Sequence, residues 1–232
     1  TYNIMRRVSG ETEWKRIAVR SASLNPVYKD TSVTDGVEYE YDVNSATDTF
    51  ESFSASSGEK VIYVKTPVFT SVTNTMSGVE LKWSAHSKAT KYVIYRRVIG
   101  VDSALSEYTE IGSTQFVDTA VEAGKTYTYS IKVCTNNGDS AYNTSGYTIT
   151  RVPCTEVTTL STEKNGVKVS WKIADGADGY SIYRRPLSSD TWTKAGTVKS
   201  DASSFLDTGL LSGTQYVYAV TPIINNSEGA KI

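Results

Sequence analysis

The sequence predicts an all-β protein built as a tandem array of small antiparallel β-sandwiches, and three observations carry that expectation. Apolar and polar residues alternate with period two along the patterned segments. No stretch of about 10 to 12 residues shows helical periodicity. The same blocks of residues return at an interval near 88 positions, too long for helical solenoid repeats of up to about 47 residues and suited to a small domain.

Three blocks define the repeat. The segment Tyr92-Val93-Ile94-Tyr95-Arg96-Arg97 recurs as Tyr180-Ser181-Ile182-Tyr183-Arg184-Arg185, with a counterpart in Tyr2-Asn3-Ile4-Met5-Arg6-Arg7. A second block keeps one internal spacing in three places: Asp30, Gly36, Tyr39, Tyr41; Asp118, Gly124, Tyr127, Tyr129; Asp207, Gly213, Tyr216, Tyr218. A third, Gly-Val-x-Leu/Val-x-Trp, occurs twice, at Gly78 to Trp83 and Gly166 to Trp171, ahead of the tyrosine segment. The 232 residues therefore divide into a partial first copy, residues 1–65, expected to lack its first two strands, a full copy over 66–152, and a third over 153–232 that lacks most of its last strand.

Within a copy the strands follow in order. Val79, Leu81 and Trp83 alternate with Glu80 and Lys82, and Val167, Val169 and Trp171 with Lys168 and Ser170, which describes a half-buried strand. The tyrosine segment forms the next strand, and a short strand carrying Trp14, Tyr108 or Trp192 is expected to follow. Tyr127, Tyr129, Ile131 and Val133 alternate with Thr128, Ser130 and Lys132, and a final strand runs through Gly146-Tyr147-Thr148-Ile149-Thr150-Arg151. Turn signals separate them at Ser77-Gly78, Asn165-Gly166, Asp35-Gly36 and Asn137-Gly138. About seven short strands per copy with two opposed apolar faces specify a sandwich. The positions that would carry an immunoglobulin disulfide hold Trp83 or Trp171 and Tyr129 or Tyr218 instead.

The tryptophan on strand B, the Tyr-x-Ile segment on strand C and Gly-x-x-Tyr-x-Tyr opening strand F together resemble the fibronectin type III family, an immunoglobulin-like sandwich. The Tyr-Arg-Arg wording and the Asp-Thr ahead of the strand F glycine are similar to the tandem modules of secreted and cell-surface proteins of Gram-positive bacteria. The resemblance covers essentially the whole chain and implies fold far more than function, because this fold hosts many unrelated roles. It implies structural parts for Trp83 and Trp171 in the core and for Tyr39, Tyr127 and Tyr216 as tyrosine corners, each hydroxyl bonding back to the preceding loop. Asp30, Asp118 and Asp207 read as loop-stabilising acceptors, since a calcium site gathers several oxygens around one ion. Burying one tryptophan is worth about 4 to 6 kcal/mol, a large share of the roughly 5 to 15 kcal/mol a small domain retains. The first copy, without it, is expected to need completion, by residues upstream in a longer parent or by another chain.

Composition excludes most chemistry. With 24 basic and 25 acidic residues there is no footprint for nucleic acid, and no window approaches a membrane span. A single histidine, His86, expected in a solvated loop, leaves little room for a Ser-His or Cys-His pair, and no catalytic residue, metal site or cofactor is expected. Gly176-Ala177-Asp178-Gly179 reads as a turn, not a phosphate cradle. Cys134 and Cys154 fall at opposite poles of a module and read as small apolar core residues, not a bridge.

Exposed aromatics are the candidate ligand contacts: Tyr95, Tyr183 and Trp192 are expected to point outward, where they could stack on a sugar or anchor a protein, or pack against the stems of Arg96, Arg97, Arg184 and Arg185. The junctions Val64-Lys65-Thr66-Pro67 and Arg151-Val152-Pro153 hold no Gly/Ser tract, and short proline-bearing junctions make stiff rods. These features suggest a non-catalytic spacer or scaffold in an extracellular or cell-surface bacterial protein, joined to neighbouring domains of a longer chain. The competing reading is an adhesion module that binds a cell-wall or host glycan or a protein, accessory to a glycoside hydrolase in one version.

Overall fold

The structure, a computed structural model, describes residues 1–23, 25–54 and 57–232. It is all-β; among the described residues there is no helix, and so none long and apolar enough to cross a membrane. In the first copy β1 (Tyr2–Val8), β2 (Lys15–Arg20), β3 (Glu38–Ser45) and β4 (Glu59–Ile62) form one antiparallel sheet in the order β2-β1-β3-β4.

The second copy has both layers. Its strands are β5 (Phe69–Asn74), β6 (Val79–Trp83), β7 (Lys91–Val98), β8 (Ser106–Ile111), β9 (Gln115–Asp118), β10 (Thr126–Thr135), β11 (Gly138–Asp139) and β12 (Tyr147–Thr150). One sheet runs β5-β6-β9; the other runs β11-β10-β7-β8, with β12 also paired to β10. The third copy repeats this with β13 (Val157–Glu163), β14 (Gly166–Trp171), β15 (Gly179–Pro186), β16 (Thr193–Lys199), β17 (Ser204–Asp207), β18 (Tyr216–Ile224) and β19 (Ser227–Glu228), in sheets β13-β14-β17 and β16-β15-β18-β19. In sandwich lettering these are A-B-E facing C′-C-F-G.

The core lies between the layers. Trp83 (4% exposed) meets Tyr92 at 5.5 Å and Trp171 (4%) meets Tyr180 at 5.4 Å, over Leu81, Ile94, Ile131 and Val133 in one copy and Val169, Ile182 and Val220 in the other. Neither indole Nε1 has a hydrogen-bond acceptor, so these rings contribute apolar area and not a polar contact. The glycine five residues before each tryptophan has a steric cause. A Cβ on Gly78 or Gly166 would lie 2.0 Å from the carbonyl oxygen of Asp118 or Asp207, where strand E crosses strand B.

Two expectations need correction. Strands with a single dry face do not describe β7 and β10 of the second copy, whose residues are buried on both faces: Leu105 and Tyr142 cover Val93, Tyr95 and Cys134 on the outside of the sheet. Cys134 is therefore in an outer cluster and not between the sheets; Cys134 and Cys154 are both buried free thiols. Trp14 and Trp192 lie just ahead of β2 and β16, while Tyr108 is inside β8. All three copies bulge at the same point of the C–C′ ladder, between Ile4/Met5, Ile94/Tyr95 and Ile182/Tyr183. Counted from that register, Leu105 and not Tyr108 corresponds to Trp14 and Trp192.

Candidate functional site

A polar feature recurs at the same place in each copy: one aspartate carboxylate gathering tyrosine and arginine donors. Asp118 closes β9 and is fully buried. Its Oδ2 accepts from the Tyr129 hydroxyl at 2.7 Å and from Arg96 Nη1 at 2.8 Å, and its Oδ1 from the Tyr108 hydroxyl at 2.9 Å and the Ala120 N–H at 3.0 Å. Asp207 accepts from the Tyr218 hydroxyl at 2.9 Å and from Arg184 Nη1. Asp30 accepts from Arg6 at 2.6 Å, Tyr41 at 2.8 Å, and the Ser32 N–H and hydroxyl at 2.9 and 2.8 Å.

The electrostatics follow from burial and these bonds. Burial alone would raise the Asp30 carboxyl, but donors from Ser32, Tyr41 and Arg6 outweigh it and hold the group at about 2. Burial, then the neighbouring carboxylate, pushes the Tyr41 hydroxyl up to about 12 and raises Tyr129 and Tyr218 in the same direction. Burial opposes the charge on Arg96, yet Asp118 leaves its pKa raised. Asp118 and Asp30, with four donors each, have no lone pair left for a substrate or cation, and in the second and third copies the aspartate ties strand E to strands C and F. The arginine was not legible as its partner. The signal available was the constant spacing from each aspartate to the second tyrosine of strand F, together with the recurring arginine on strand C.

Tyr39, Tyr127 and Tyr216 each accept a backbone N–H from five residues upstream: Thr34 at 3.0 Å, Glu122 at 2.9 Å and Leu211 at 3.2 Å. The candidate ligand contacts fare differently. Tyr95 is 7% exposed, stacked at 4.0 Å on Tyr142, with its hydroxyl donated to Glu107 at 2.9 Å, so its ring has no free face for a sugar. Tyr183 is half-buried, capped by Lys231 Nζ at 4.0 Å and donating to Glu228. Burial disfavours the Glu228 charge, but donors from Lys194, Tyr183 and Ser181 hold it at about 2. Trp192 is half-buried with the Arg185 guanidinium 5.1 Å from its ring, as Arg7 lies 4.4 Å from Trp14. The second arginine of the pair covers these rings; the first turns inward to the aspartate, as strand alternation requires. No group of three or more His, Cys, Asp or Glu side chains able to hold a metal exists among the described residues.

His86 corrects another expectation. Its side chain is only 14% exposed, and Nε2 lies 3.1 Å from Asp35 of the preceding copy. It belongs to a joint in which the F–G turn and B–C loop of one copy meet the E–F turn and last strand of the copy before. There the Ile62 N–H donates to the Asn137 carbonyl at 3.1 Å, Asn137 Nδ2 donates to Glu38, and the Lys65 N–H donates to Asp35 at 2.8 Å. Ile62 and Val64 are buried against the second core. At the next joint Asn225 Nδ2 donates to the Gly124 carbonyl at 3.2 Å, and Ile224 Cγ2 would lie 3.4 Å from a Cβ on Gly124, which sits at φ +77°. Arg151, 6% exposed, anchors this exit by donating to the carbonyls of Thr75 (2.8 Å) and Gly78 (3.0 Å), while Asn74 Oδ1 accepts the Val152 N–H at 3.1 Å.

No family model matches the chain. Among curated proteins it is similar to an amylopullulanase of Thermoanaerobacter thermohydrosulfuricus (27% identical over 141 residues, 56% of this chain and 9% of that protein). It is also similar to exoglucanase B of Cellulomonas fimi (25% over 166 residues, 63% and 14%) and to an amylopullulanase of Thermoanaerobacterium saccharolyticum (35% over 65 residues, 28% and 5%). The chain thus spans at most 14% of the length of these relatives. Solved structures that resemble it include the chicken CNTN1 FN1–FN3 domains (15% identity, TM-score 0.33, covering 99% of this chain and 85% of that one). Another is a two fibronectin type III domain segment of chicken tenascin (19%, 0.36, 72% and 95%). With A, B and E in one layer, C′, C, F and G in the other, and a tryptophan on B facing a tyrosine on C, the chain has the fold of tandem fibronectin type III sandwiches.

Proposed function

We propose that the chain is a non-catalytic rod whose modules space or present other domains of a longer extracellular bacterial protein. The observation that carries this reading is the repeated joint. The F–G turn of one copy, through Asn137 or Asn225, meets the preceding copy near its E–F glycine, Gly36 or Gly124, and neither junction contains a flexible tract. Modules joined pole to pole in this way add their lengths. Strands of about ten residues give about 33 Å per module and about 100 Å for three. The likeness to segments of bacterial enzymes many times longer supports an accessory place in such a chain, as does the internal pairing of Asp30, Asp118 and Asp207 with tyrosine and arginine donors. Small-angle scattering tests the rod: a maximum dimension near 100 Å is expected, and a compact particle of about 50 Å would refute it. Assays on starch, pullulan and cellulose should find no turnover, and measurable hydrolysis by the purified chain would overturn the non-catalytic assignment.

A further inference from the structure

Glycine occupies position 138 for a reason that lies in another module. A Cβ there would stand 3.2 Å from the carbonyl oxygen of Ile62 and 3.5 Å from Val61 Cγ2, both in β4 of the first copy, and the residue sits at φ +142°. Asn137, the exposed residue before it, spans the same joint with its main chain and its side chain. Its carbonyl accepts the Ile62 N–H at 3.1 Å, and its Nδ2 donates to Glu38. That donation is the first reason the Glu38 carboxyl is held below its ordinary value. The second joint is built otherwise. Its F–G turn reads Asn225-Asn226-Ser227, and Ser227 pairs with Ile224 as Gly138 pairs with Thr135, so no asparagine of that turn precedes a glycine.

We propose that Asn137 is a modification site whose spontaneous deamidation releases the first joint. An asparagine ahead of a glycine reacts with least hindrance, because no side chain crowds the attacking nitrogen. The Gly138 nitrogen bonds to Asn137 Cγ, the Cγ–Nδ2 bond breaks, and ammonia leaves with the glycine's proton. Water then opens the five-membered imide. Cleavage at Cγ gives aspartate, cleavage at the main-chain carbonyl carbon gives isoaspartate, and nothing is oxidised or reduced. Aspartate puts a carboxylate where Nδ2 meets Glu38, so a hydrogen bond becomes a contact between like charges. Isoaspartate lengthens the main chain by a methylene and turns the carbonyl that accepts the Ile62 N–H into a free carboxylate. The glycine that lets the two modules approach is therefore also what makes their joint perishable. The second joint, with serine in that place, resists the reaction.

The chain carries its own control. Asn165-Gly166, its other Asn-Gly pair, lies in the exposed A–B turn of the third copy, against Asp207 of that copy, and belongs to neither joint. The full chain is aged in mild alkali, peptides are mapped by mass spectrometry for the amide-to-acid mass gain, and spin-label distances are read across each joint. Conversion at Asn137 is expected alongside conversion at Asn165. The distances between the first and second modules should broaden in proportion to the fraction converted at Asn137, while those between the second and third stay as they were. Asn137→Asp should show the broadened distribution without ageing, and Glu38→Gln in that background should narrow it again, because the new amide donates to the new carboxylate. Asn137 left intact once Asn165 is consumed would overturn the site. Unchanged distances in the converted chain would overturn the release, and failure of Glu38→Gln to narrow the distribution would overturn its electrostatic cause.

Discussion

Replacing Asp118 with asparagine keeps the side chain's shape and removes its charge. In the native module the carboxylate is 0% exposed and faces Arg96, itself only 20% exposed, at 2.8 Å. Asparagine would leave that guanidinium without its counter-ion and turn an amide N–H₂ toward donors from Tyr129, Tyr108 or Ala120. Hydrogen bonds to a charged group contribute about 1.5 to 3 kcal/mol each, and breaking one side of a buried ion pair costs about 3 to 5 kcal/mol. A loss of at least about 3 kcal/mol is expected for the second copy, against a small-domain total of about 5 to 15. At about 4 to 8 °C per kcal/mol the melting point of that module should fall by 12 °C or more. Urea unfolding read by hydrogen exchange in β10 isolates this module from the third, read in β18. Arg96→Met alone and with Asp118→Asn completes a cycle in which the double variant should cost less than the two single changes together. Additivity within about 0.5 kcal/mol would refute the argument, because it would mean that the charges do not interact.

Removing the Tyr127 hydroxyl with Tyr127→Phe strands the Glu122 N–H, which now bonds to it at 2.9 Å; equilibrium unfolding should show a loss of about 1 to 2 kcal/mol, and no loss would remove the corner's structural role. The Asp30 carboxyl, at about 2 against an ordinary 3.8, contributes stability that is complete above the unfolded value and is lost as pH falls from about 4 toward 2. After allowing for solvent screening that contribution is about 1 to 2 kcal/mol, and exchange protection in β3 followed across this window should weaken in the native chain and stay level in Asp30→Asn. Gly124→Ala places a Cβ at φ +77° and 3.4 Å from Ile224; it should cost about 1 kcal/mol and widen the distribution of spin-label distances between the second and third modules, whereas an unchanged distribution would count against the joint as a stiffening contact.

The repeat made much of the core legible before any coordinates. Trp83, Trp171 and the three corner tyrosines recur at fixed spacing, and a residue type kept in phase with a strand reports the face it occupies. The fate of Tyr95 and Tyr183 was not legible, because it depends on what returns over the sheet after the F–G turn: Tyr142 stacks on the first and Lys231 caps the second. His86 misled for a similar reason. Nothing beside it in sequence announces Asp35, 51 residues earlier, as its neighbour.

Alternation and an 88-residue period are properties of the chain alone, and by themselves they determined that this protein is a series of β-sandwiches with Trp and Tyr at their centres. Which acceptor each arginine found, which aromatic face stayed open, and how one module meets the next were decided by tertiary structure. Most of those contacts join residues far apart in the chain, from 22 positions between Arg96 and Asp118 to 101 between Gly124 and Asn225, and only the packing of sheet on sheet and pole on pole brings such residues within hydrogen-bond reach.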